Sequence, residues 1–200
     1  YLRNKYAESM EKTVAAESLA EKYDQLQVSA RVLRLKGILF KQKGEIESAK
    51  RSYKKSLVIC EKNNLRRDLA NVLHSLGNIS MSSDNERAEY YIQKSIDIKQ
   101  ELGDIIGVQK STIGLAIISK KRGELEEAEK YYRKSLKIAE KIGYISGLST
   151  ALSGLGSLLK NRGELEEAEK LYRKALAIRE ELGNKSGISN TMHNLGCLAM

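Results

Sequence analysis

The 22 residues from Arg122 to Gly143, RGELEEAEKYYRKSLKIAEKIG, return at Arg162 to Gly183 as RGELEEAEKLYRKALAIREELG, with 16 of the 22 positions identical and an offset of 40 residues. Self-similarity at that period marks a stacked array, in which each unit buries its apolar face on its neighbours and no single central core exists. The spacing extends upstream: Ala49, Ala88, Ala128 and Ala168 stand 39, 40 and 40 residues apart, so the turn inside the second unit is one residue short. Glycines suited to ending helices recur, with Gly44 inside the first unit and Gly103, Gly143 and Gly183 between units. The expected fold is all-α, about ten helices in one array over 1–200. Residues 1–23 form a second helix without its first; 28–62, 68–102, 107–142 and 147–182 are full units; 187–200 is a first helix without its second.

Composition agrees with long helices. There is no Pro and no Trp, 41% of residues are apolar and 30% charged, which disfavours both β-structure and disorder. The longest apolar run is far short of the ~20 residues that a membrane span needs. The start, YLRNKYAESMEK, has neither an initiator Met nor an apolar signal core, and is expected to belong to a longer protein. Cys60 and Cys197 sit in no CxxC or Cys/His cluster; they read as reduced thiols on apolar faces, which fits a cytoplasmic location. The net charge of +9 invites a partner of acidic character. Many charges, however, form expected pairs four residues apart: Glu126 with Lys130, Glu129 with Arg133, Glu166 with Lys170 and Glu169 with Arg173.

Small residues recur at fixed places: Gly37, Gly77, Ala116, Gly156 and Gly196 on first helices, and Ala49, Ala88, Ala128 and Ala168 on second helices. Glycine within a helix costs about 0.8–1.0 kcal/mol against alanine, so its recurrence points to a close crossing of the two helices of each hairpin. Four residues after each alanine stand Tyr53, Ile92, Tyr132 and Tyr172, bulky enough to fill the adjacent gap, followed by Ser56, Ser95, Ser135 and Ala175. In these residues the chain resembles the tetratricopeptide repeat family over essentially its whole length. It departs in the unit of 40 residues where the family has 34, and in Glu61, Gln100, Glu140 and Glu180 where the family has proline. Both departures resemble the longer-helix variety of kinesin light chains and bacterial peptide-sensing regulators.

The resemblance implies a right-handed superhelix with first helices on the concave face, and a protein-interaction scaffold that binds a peptide segment there. Carried onto this sequence, the groove positions are Arg31, Arg34, Leu35, Ile38, Lys41 and Gln42, then Asn71, His74, Ser75 and Asn78. The third unit gives Lys110, Ile113, Ile117, Lys120 and Lys121, the fourth Thr150, Ser153, Ser157, Lys160 and Asn161, and the last helix Asn190, His193, Asn194 and Cys197. This set mixes amides with cations and contains no Asp or Glu. Asn side chains can donate to and accept from an extended peptide backbone, while Lys41, Lys120, Lys121 and Lys160 would select acidic side chains or a terminal carboxylate.

Other classes are disfavoured. The family's chaperone-tail carboxylate clamp needs Lys and Asn, then Asn, then Lys and Arg; Arg34 with Ile38, Ser75, and Lys110 with Gly114 do not supply it. His74 and His193 lie three units apart and share no metal, no serine or carboxylate constellation supports catalysis, and no cofactor is expected. Nucleic acid would be drawn by the basic groove, but no groove aromatic offers a base-stacking surface. A same-fold alternative is self-association or a sensor segment, through Ile188, Met192, Leu195 and Leu198 on the last helix.

Overall fold

The computed structural model describes residues 2–23 and 25–198, and the side chains of all of these except 2–5 and 21. Tyr1, Ala199 and Met200, which belong to the expected terminal helices, lie outside the described residues. The described residues form ten α-helices: α1 Leu2–Lys22, α2 Leu26–Lys43, α3 Ile46–Lys62, α4 Arg66–Ser80, α5 Asn85–Glu101, α6 Ile105–Arg122, α7 Leu125–Lys141, α8 Ile145–Arg162, α9 Leu165–Glu181 and α10 Lys185–Gly196. They fall into two compact units, Tyr1–Leu102 and Gly103–Met200. The first holds α1 and the hairpins α2/α3 and α4/α5; the second holds the hairpins α6/α7 and α8/α9, with α10 against α9. Among the described residues no helix is long and apolar enough to cross a membrane.

Local chemistry explains the turns. Gly44 closes α2 at a φ of +87°, its N–H donating to Lys41 O while Glu45 N–H reaches Phe40 O, a pairing that requires the left-handed residue at its centre. Gly123 and Gly163 close α6 and α8 in the same way. In the shortened second hairpin α4 closes instead on Met81, and the Asp84 carboxylate accepts the Arg87 N–H at 2.9 Å, capping the start of α5. A side-chain cap there replaces the glycine turn.

The recurrent glycines act as the helix crossings demand. A Cβ built on Gly37 would lie 2.4 Å from the Tyr53 ring, and one on Gly77 would lie 2.6 Å from Ile92 and 3.1 Å from the Ala88 carbonyl oxygen. At Gly156 the nearest atoms, on Tyr172 and Ala168, begin at 3.2 Å, and the third hairpin already carries a fully buried Ala116. Gly37→Ala therefore forces a buried ring to move and is expected to destabilise by about 1–2 kcal/mol after the gain in helix propensity. Gly156→Ala is expected to be near neutral. Urea denaturation of the two variants checks this ordering, and a Gly37→Ala protein as stable as the parent would contradict the close crossing.

The serines after each bulky residue have a distinct role. Ser56 Oγ donates to Ala30 O at 2.6 Å and Ser95 Oγ to Ala70 O at 2.7 Å, tying each second helix to its first. In the third hairpin the tie passes through buried Gln109, whose Nε2 donates to Ser135 Oγ at 2.9 Å. Each such buried bond contributes about 0.5–1.5 kcal/mol and fixes the register of the hairpin.

Within each unit the first helices are the inner ones. α2 touches α4 and α6 touches α8, while among the described residues no comparable contact joins α3 to α5 or α7 to α9. The repeated acidic stretch lies on the second helices. Glu129 pairs with Arg133 and Glu169 with Arg173 as their spacing predicts, both at 2.7 Å. Lys130 and Lys170 pair differently from the expectation, with Glu127 and Glu167 three residues back at 3.1 and 3.4 Å. Glu126 turns instead toward Arg162, 3.6 Å away, which also holds Glu129 and so ties α8 to α7.

Candidate functional site

On the first-helix side of the second unit lies a cavity of about 560 Å³. Its walls follow from helical periodicity: Ile113, Ile117, Lys120 and Lys121 lie on one face of α6, Thr150, Ser153, Gly154 and Ser157 on one face of α8, and Asn190 and Asn194 one turn apart on α10. Two further residues come from second helices, Tyr132 on α7 and Arg179 on α9. Tyr132 reaches the cavity because Gly154 has no side chain, since a Cβ there would sit 2.3 Å from its ring. Burial, and secondarily Tyr172, pushes the Tyr132 hydroxyl up to about 12, so it is a neutral wall residue.

Two of the cations in this cavity, Lys120 and Arg179, are held by neutral groups. Lys120 Nζ donates to Ser157 Oγ at 2.6 Å and to Ser157 O at 3.3 Å. Burial first, and the nearby Lys160 second, lower its pKa from the ordinary lysine value. Arg179 is only 8% exposed; its Nη1 donates to Gly187 O at 3.1 Å, to Ser153 Oγ at 3.5 Å and to Thr191 Oγ1. Its Nε is buried and has no acceptor among the described residues, and burial lowers its pKa. Among the described residues no carboxylate lines the cavity.

A second cavity, of about 400 Å³, occupies the corresponding side of the first unit. Arg34, Ile38, Lys41 and Gln42 of α2 face His74, Ser75 and Asn78 of α4, with the Tyr53 ring between them. His74 Nε2 and Asn78 Nδ2 are 2.9 Å apart.

The expected groove residues thus divide. Lys120, Lys121, Ser153, Ser157, Asn190 and Asn194 line one cavity, and Arg34, Lys41, His74 and Asn78 line the other. Arg31, Leu35, Asn71, Lys110, Lys160, Asn161, His193 and Cys197 line neither. Arg31 Nε donates to Asp68 Oδ1 at 2.8 Å, a carboxylate that also accepts from Gln27 at 3.1 Å, so its charge is balanced within the unit. Asn71 gives its backbone carbonyl to Ser75. Lys110 Nζ stands 5.4 Å from the Tyr144 ring centre, Lys160 stands close enough to Lys120 to lower its pKa, and His193 is exposed beside Cys197. Arg179 falls outside the groove register because it lies on a second helix. Its signal is nonetheless present, since Ala139 against Arg179 is one of the six mismatches between the two copies of the 22-residue stretch.

Cys60 is fully buried, and burial, with Asp68 next, pushes its thiol up to about 11. Among the described residues no group of three His, Cys, Asp or Glu side chains is placed to hold a metal ion.

The helical hairpins, their buried small residues and the inner first helices define an all-α helical-repeat protein of the scaffold type. Family models for the tetratricopeptide repeat match residues 110–142 and 147–199. No curated protein sequence matches the chain. Among solved structures it is similar to BtubC (BKLC) from P. vanneervenii, at 20% identity over 98% of this chain and 82% of that one, with a TM-score of 0.75. It is also similar to the Rap conjugation gene regulator of the plasmid pLS20 in complex with the Phr* peptide, at 18% identity, 88% and 51% coverage and a TM-score of 0.73. A third is a putative kinesin light chain with nearly identical TPR-like repeats from Podosopora anserina, at 15% identity, 84% of each chain and a TM-score of 0.65. Residues 110–142 and 147–199 thus carry tetratricopeptide repeats. The chain spans about half of the Rap regulator's length.

Proposed function

We propose that this chain is a protein-interaction scaffold whose first-helix cavities capture a peptide segment that is acidic or ends in a free carboxylate. One observation carries the reading: in each unit the inner side opens into a cavity lined by amides, hydroxyls and cations, with no carboxylate among the described lining residues. Asn78, Asn190 and Asn194 each offer a donor and an acceptor to a peptide backbone, which is independent of its sequence. Lys41, Lys120 and Arg179 add selection by charge. The Rap regulator, similar in fold, is seen with a peptide, which supports the same mode of use here. A cytoplasmic location accords with Cys60 and Cys197 as free thiols.

A random peptide library displayed on phage and panned on the immobilised protein tests the reading. Enrichment of sequences rich in Asp and Glu, released by salt, is expected. Recovery of no consensus, or of basic peptides, would overturn it.

A further inference from the structure

The second unit's cavity contains a row of polar groups that no neutral peptide backbone explains. Arg179, Ser153, Ser157 and Lys120 form this row: Ser153 and Ser157 stand one turn apart on α8, the first accepting from Arg179 and the second from Lys120. Among the described residues every acceptor offered to the two cations is a hydroxyl or a backbone carbonyl, and none is a carboxylate. The guanidinium cannot escape by losing its proton, and an unpaired buried charge is a heavy cost to a fold. In the equivalent place of other second helices stand Ala20, Cys60, Ala139 and one buried cation, Lys99, so a hairpin can be packed at this place without a cation.

Among the described residues the hydrogen bonds of Arg179 all run through Nη1, and its Nε has no acceptor. The Nε–Nη2 edge of a guanidinium presents two parallel N–H donors, matched to the two oxygens of one carboxylate. Ile113 and Ile117 supply an apolar wall in the same cavity, fit for an aliphatic side chain beside that carboxylate. We infer that Arg179 and Lys120, with Ser153 and Ser157 between them, form the seat for a single carboxylate of the bound peptide. The inference rests on the peptide-capture reading of this cavity. The carboxylate can be an Asp or Glu side chain or a chain terminus, which share this chemistry.

Three blocked peptides separate the sources: acetyl-Leu-Asp-Leu-amide carries only a side-chain carboxylate, acetyl-Leu-Asn-Leu as the free acid only a terminal one, and acetyl-Leu-Asn-Leu-amide neither. Each is titrated into the intact protein, following the Arg179 Nε–H resonance. At least one acid peptide is expected to shift that resonance and bind at least tenfold more tightly than the neutral one. Arg179→Ala, the residue natural at position 139, and Lys120→Met, on a different helix, are each expected to abolish the preference while circular dichroism stays unchanged. Equal binding of all three peptides, binding of none, or a preference surviving in both variants overturns the seat. If Arg179→Ala still selects acidic peptides from the displayed library, the scaffold reading stands and only the seat falls. If the unaltered protein selects none, the reading itself has failed.

Discussion

Tyr172→Ala is expected to destabilise the second unit by about 3–5 kcal/mol, the usual cost of emptying a fully buried aromatic position. Tyr172 has no exposed surface and packs among Ala168, Leu171, Ala175 and Leu158, with its ring against Gly156. The loss is a large part of the about 5–15 kcal/mol that holds a typical domain. Because a repeat array is stabilised by neighbouring elements, the damage should concentrate in α8, α9 and α10. Hydrogen exchange resolved by helix, together with urea denaturation, measures both parts of the expectation. A cost below about 1 kcal/mol would show that the ring does not lock the hairpin.

Joint replacement of Lys120 and Lys121 by Glu is expected to weaken binding of an acidic peptide at least tenfold, equivalent to about 1.4 kcal/mol, with helix content unchanged. The substitution removes the cation that Ser157 holds and places two carboxylates beside Arg179, where they compete for the charge the peptide would meet. Affinity of the unaltered protein should fall with added salt, because rim charges are screened over about 8–10 Å at ordinary ionic strength. Fluorescence anisotropy of a labelled peptide taken from the displayed library reads both effects. Equal affinity before and after reversal would remove the electrostatic part of the account.

The hairpins were legible in the sequence because one physical demand repeats: Gly37, Gly77 and Gly156 make room for Tyr53, Ile92 and Tyr172 at the same register. Local spacing also carried the first-helix faces, since residues three and four apart share one side of a helix. What lay beyond reach were relations between helices distant in sequence. Arg31 reads as a free groove cation until the fold brings Asp68, 37 residues away, against it. Ser56 and Ser95 read as merely small, whereas their hydroxyls tie the helices together. Arg179 lies on a second helix, outside the groove positions that the resemblance implies, although its difference from Ala139 is visible in the repeat. The strict repetition of the 22-residue stretch reports the scaffold, and its mismatches mark where one hairpin does something the other does not.

The central claim, that the inner first-helix side captures the peptide, is tested most directly by backbone amide shift mapping with a library-selected acidic peptide. The account predicts perturbations concentrated in α6, α8 and α10 around Ile117, Ser153, Ser157 and Asn194, together with the Arg179 side-chain N–H. Perturbations confined to the solvent faces of α7 and α9, around Lys137 or Lys174, would contradict it.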